Sequence, residues 1–145
     1  MENKGQKRIR HFSGPLKLGM AVLLSLVGVV GHNALEFGWR GLLAADTGTV
    51  PVVLVQAAVF FAWWKLPSFR SWALGLLGVL ALLHVAGGAV ISVLPLAALP
   101  FEPEQSVSHY LSHVIYGLAQ LPLLWLAAKG LLTGRVQERP RKAVE

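Results

Sequence analysis

Two helix-spaced pairs of metal-binding residue types stand out in this chain of 145 residues: His109 with His113, and His32 with Glu36. An i, i+4 spacing puts both members of a pair on one face of a helix. Two such pairs on facing helices supply four nitrogen and oxygen donors, a set that suits zinc, copper or iron. The zincin pattern is missing, because Tyr110 follows His109 where that motif needs its glutamate base. A variant is haem b, with His32 and His113 as axial ligands and His84 as a second candidate. Gly28, Gly31, Gly87 and Gly88 would then leave room for the macrocycle. Covalent haem attachment is excluded, since the chain has no cysteine.

The pairs belong to longer polar stripes. In Ser106–Leu126, His109, His113, Tyr116 and Gln120 follow one helical face. Ser25, Gly28, His32 and Glu36 do the same earlier in the chain, and Ala81, His84, Gly88 and Ser92 form a third stripe. Gln56 is the one strongly polar residue of the remaining apolar segment. Unpaired polar groups are costly in hydrocarbon, so each stripe should turn inward, away from lipid. Ser25, Gln56, Ser92, Tyr116 and Gln120 are therefore read as an interior polar stripe alongside the four candidate ligands.

The elements that must carry these residues are apolar and long. Hydrophobic residues make up 54% of the chain and charged residues only 14%, well below the roughly 25% of a soluble domain. Mean hydropathy is +0.58. This is the balance of an all-α integral membrane protein, and four spans are expected, at about 18–38, 49–66, 71–94 and 103–128. Pro51 opens the second in its first turn, and Pro103 is expected to open the fourth, with Glu104 at its N-terminal dipole. A cleaved signal peptide is the rival reading of the first span. It is disfavoured because a cut near Ala34 would put His32 where a small residue belongs.

Charge sets the expected orientation. Five Lys/Arg lie in residues 1–17, two in the turn between spans two and three, and five in residues 129–145. The two other loops share Arg40 alone. By the positive-inside rule the domain of 18–128 is an antiparallel four-transmembrane-helix bundle in the plasma (inner) membrane. Its two basic tails, 1–17 and 129–145, are cytoplasmic, and Asp46, Glu102 and Glu104 face outside. His32 and His113 then fall at about the same depth, roughly 9 Å below the outer boundary at ~1.5 Å per residue. His84 is expected deeper, below the ligand pocket.

The net charge of +6 follows from these flanks, so it points to topology and anionic lipid and not to nucleic acid. Nucleophilic catalysis has no support: Ser106, Ser108 and Ser112 stand near histidines, but no nucleophile elbow or phosphate loop is present. No catalytic residue is assigned. Three functional classes stay open: a metal- or haem-binding membrane protein, an accessory or scaffold subunit without chemistry, and a small transporter acting as an oligomer. The partners expected are the bilayer and either further copies of the chain or a larger membrane complex.

Overall fold

A computed structural model of the chain describes residues 4–44, 47–99 and 102–138. The described residues are helical, without strands. Helix α1 spans Lys4–Gly41, α2 Thr49–Lys65, α3 Arg70–Leu83 and α4 Val107–Glu138. After α3 the chain continues as a π-helical segment, His84–Val90, and a short 3-10 turn, Ile91–Val93. Asp46 and residues 139–145 of the C-terminal tail, named above, lie outside the described residues.

The helices close into a ring in which α1 packs on α2 and α4, and α3 packs on α2 and α4. Contacting pairs give the register. Ser25 meets Gln120 and Glu36 meets His109, so α1 and α4 run antiparallel. Ser25 with Gln56 and Asn33 with Thr49 do the same for α1 and α2. Gly78 against Ala127 and Gly88 against Tyr116 do so for α3 and α4.

The ring is apolar outside and buries polar side chains within, whereas a soluble bundle keeps its polar face outward. Leu23, Val27, Leu82, Ile115, Leu118 and Trp125 are all exposed, while Ser25, Gln56 and Gln120 are fully buried. The main apolar cluster lies in one half, where Leu18, Ala21, Val22, Leu77, Ala81 and Leu123 pack together. Three stretches, Gly14–Gly41, Pro67–Val93 and Val107–Thr133, are long and apolar enough to cross a membrane. Helix α2 is apolar but shorter, 17 residues.

Three boundaries depart from expectation. Helix α1 starts at Lys4, within the basic segment expected as a tail, because Lys, Gln and Arg are good helix formers and Pro15 costs one N–H without ending the helix. It kinks at Gly38, whose φ of 67° lies in the left-handed region open to glycine. Helix α4 starts at Val107 and not at Pro103, and it runs on beyond residue 128. Ser106 is the cap: its Oγ accepts the His109 N–H at 3.2 Å. A serine outcompetes the Glu102 cap that a start at Pro103 would need. The third departure is the π-helical segment, where a continuous α-helix to residue 94 was expected. Gly87 and Gly88 hold an α-helix weakly there, and the Tyr116 ring lies against Gly88.

Candidate metal centre

Four histidines and a glutamate meet at one end of the ring. Helix α1 brings His32 and Glu36, α4 brings His109 and His113, and the π-helical segment brings His84. All five line a cleft of about 720 Å³ with Asn33, Ser92 and Tyr116. Glu102 and Glu104 also line it, on the loop before α4. Both were expected as a solvated loop and a helix cap. No lysine or arginine lines the cleft, so its field favours a cation.

His32, Glu36 and His113 come closest, each offering a donor atom within 4.8 Å of the others. A tetrahedral ion with bonds of about 2.1 Å needs donor separations of about 3.4 Å, so small side-chain rotations close the set. The His32 and His113 ring centroids are 4.2 Å apart, edge to face. His109 stands beside this trio: its ring centroid is 4.4 Å from that of His113, and its Nδ1 donates to both Glu36 oxygens at 3.1 and 3.2 Å. Its Nε2 is buried without a hydrogen-bond partner.

Hydrogen bonds fix which ring nitrogen is free. His113 Nδ1 donates to the Gly88 carbonyl at 2.6 Å. The same carbonyl accepts the Ser92 hydroxyl at 2.5 Å. The wide π turn supplies that acceptor. His32 Nδ1 lies 3.4 Å from Ser112 Oγ. Ser112 is buried and is itself placed to donate to Glu36 Oε1 at 3.1 Å or to the His109 carbonyl at 2.8 Å. With Nδ1 so engaged, the Nε2 lone pairs of His32 and His113 are left for a ligand, the tautomer that an oxygen partner imposes on metal-binding imidazoles.

The remaining polar residues form a separate layer beneath. Ser25 Oγ donates to Gln120 Oε1 at 2.5 Å, Gln56 Nε2 donates to Ser25 Oγ at 2.7 Å, and Gln120 Nε2 donates to the Ser25 carbonyl at 3.2 Å. His84 Nδ1 joins Gln120 Oε1 at 3.4 Å. This layer ties together α1, α2, α4 and the π-helical segment. His84 is thus half-buried at the cleft's inner end and engaged with Gln120. Tyr116 lies between the two levels, stacked on His32 at 4.9 Å and 5.9 Å from the His84 ring.

Haem with His32 and His113 as its two axial ligands does not fit. Two axial imidazoles must stand on opposite sides of a flat macrocycle, whereas His32 and His113 touch each other. The space expected at Gly28 and Gly88 is taken as well: an added Cβ would come within 2.7 Å of Ala119 Cβ at Gly28, and within 2.8 Å of Tyr116 Cε1 at Gly88. These glycines serve close helix approach, as small residues do in membrane bundles.

Asn33 lines the cleft and Ser112 bonds its Glu36, and neither was among the residues read as the site. Each is one position away from a stripe histidine, so helical spacing alone did not pick them out. Asn33 donates to Thr49 Oγ1 at 2.7 Å and pins the start of α2 to α1 beside the cleft. No protein-family model, curated protein or solved structure matches this chain.

Proposed function

We propose that this chain is a four-span integral membrane protein, with both termini cytoplasmic, whose outward-facing cleft holds a transition-metal ion. His32 and His113 bind through Nε2 and Glu36 through its carboxylate. His109 holds Glu36 in position, the part that outer hydrogen-bond partners play around metal ligands. Two imidazoles and one carboxylate suit zinc, iron, copper or nickel, and three protein donors leave a coordination position open towards the cleft. The observation that carries this reading is the convergence of His32, Glu36 and His113 donors within 4.8 Å in a cleft whose described lining holds three glutamates and no lysine or arginine.

The orientation is supported by the distribution of Lys and Arg, and the membrane setting by the apolar exterior. Helix α2 is taken as the fourth crossing. At ~1.5 Å per residue it reaches about 25 Å, somewhat under a hydrocarbon core of about 30 Å. Trp63, Trp64 and Lys65 at its end bridge the shortfall at the interface. Transport by a single copy is not favoured, because the polar groups stop at Ser25, Gln56 and Gln120 and the apolar cluster closes the other half. An accessory subunit without chemistry is the alternative to a metal protein.

The test is elemental analysis and cobalt(II) or zinc(II) titration of the purified protein. About one ion per chain is expected. His113→Ala should abolish binding, while His84→Leu, which removes a ring bonded to Gln120 and outside the closest donor trio, should keep it. A folded parent protein that takes up no stoichiometric ion would reduce the cluster to packing.

A further inference from the structure

The seam between α1 and α4 carries a second feature at the opposite end from the histidines. An apolar groove of about 530 Å³ opens on the outer face of the ring. Met20, Leu23, Leu24 and Val27 of α1 line one side, and Pro122 and Leu126 of α4 the other. Pro122 and the nearby Ala21 are short, which leaves the two helices unfilled between their larger side chains. Along α1 the groove runs from Lys17 to Val27, about 15 Å at ~1.5 Å per residue.

Its end is charged. Lys17 lines the groove and is exposed. The α1–α4 register pairs Glu36 with His109 and Ser25 with Gln120. Continued down the seam, it sets Lys129 level with Lys17. Lys129 is also exposed, and it stands one turn beyond Leu126 on the same face of α4. Interaxial distances of 8–10 Å let two such long side chains converge on one anion. Among the described residues, no acid lines this groove.

We infer that the groove is a binding site for an anionic phospholipid, with one acyl chain lying between α1 and α4 and the phosphate held by Lys17 and Lys129. Apolar length, a cationic pair at one end only and placement on the exterior of a membrane bundle together specify a lipid. The pair stands on the side assigned to the cytoplasm, where anionic lipid is enriched. The inference rests on the membrane reading and is independent of the metal.

The experiment is native mass spectrometry of the full chain in detergent. Phosphatidylglycerol or phosphatidylcholine with identical acyl chains is added, and the fraction with one lipid bound is read. The parent should retain phosphatidylglycerol about tenfold better than phosphatidylcholine. K17Q/K129Q should erase that preference while the protein stays helical and monodisperse. Leu24→Trp, which fills the groove, should lower retention of phosphatidylglycerol with both lysines intact. Equal retention of the two lipids by the parent would overturn the inference, as would a preference that survives the double change or resists Leu24→Trp. Retention of neither lipid, in a protein that is soluble without detergent, would instead overturn the membrane reading beneath it.

Discussion

Gly28 is where packing and the metal site are most directly joined. It faces Ala119, and a Cβ there would sit 2.7 Å from Ala119 Cβ and 3.3 Å from Gln120 Nε2. Non-bonded carbons rest at about 3.5–4.0 Å, so Gly28→Ala must part α1 from α4 by about 1 Å at this level. His32 is one turn further along α1, where its ring touches that of His113. The same parting widens a donor set that already needs slight closure to hold an ion. Overpacking costs about 1–3 kcal/mol, and alanine recovers about 0.5–1 kcal/mol of helix propensity, for a net loss of up to about 2.5 kcal/mol. Metal affinity should fall tenfold or more. The assays are unfolding of the detergent-solubilised protein and cobalt(II) titration. Gly31→Ala is the control, since nothing lies within 4 Å of a Cβ there, and it should be neutral or slightly stabilising. Ala119→Gly in the Gly28→Ala background removes the opposing methyl and should restore binding. If Gly28→Ala behaves like Gly31→Ala in both assays, close approach at Gly28 does not set the site, and the reasoning fails.

Other expectations concern separate parts of the molecule. Gln120→Leu strips the acceptor from Ser25 and His84, and should cost about 1–2 kcal/mol at the 0.6–1.7 kcal/mol typical of a membrane hydrogen bond; no change in unfolding would show the layer to be dispensable. Glu36→Gln keeps the side-chain shape but removes the charge, so it should weaken metal binding more than Ser112→Ala does; the reverse order in a zinc titration would take Glu36 out of the donor set. Cysteines placed singly in the 102–105 or 43–48 loops should react with an impermeant thiol reagent in intact cells, while cysteines near either terminus should not; labelling of the termini alone would invert the proposed orientation. Reconstituted vesicles should show no proton or cation flux through single copies, read with an internal dye; a leak abolished by His84→Leu would favour transport.

The apolar runs and their polar stripes were legible because a helix repeats its faces every 3.6 residues, and a bilayer permits few other structures. That is why His32, Glu36, His109 and His113 could be assigned to common faces before any neighbour was known. What was not legible depends on competition between local and distant terms. Pro103 was the expected start of α4, and the hydrogen-bond acceptor at Ser106 prevailed. The π-helical segment has no periodic signature. It reflects two adjacent glycines, the Tyr116 ring packed on one of them, and a carbonyl that serves both Ser92 and His113. Ser112 and Asn33 needed the neighbouring helices in place before their partners existed. The room expected at Gly28 and Gly88 is filled by Ala119 and Tyr116 for the same reason, since spacing in one helix says nothing about what another inserts.

The seam between α1 and α4 joins the two ends of the chain, and this bears on how the protein is made. Gln120, which accepts the Ser25 hydroxyl, is 95 residues further on, and His109, which bonds Glu36, is 73 residues further on. At about 5–20 residues per second, α1 waits several seconds to some twenty seconds for α4 to leave the ribosome. During that interval Ser25 can reach only Gln56, and His32 and Glu36 still lack their α4 partners, in a medium that offers few substitutes. The polar face that later becomes the floor and wall of the cleft is therefore the part of the newborn chain most in need of shelter, whether from the insertion machinery or from water at the membrane surface.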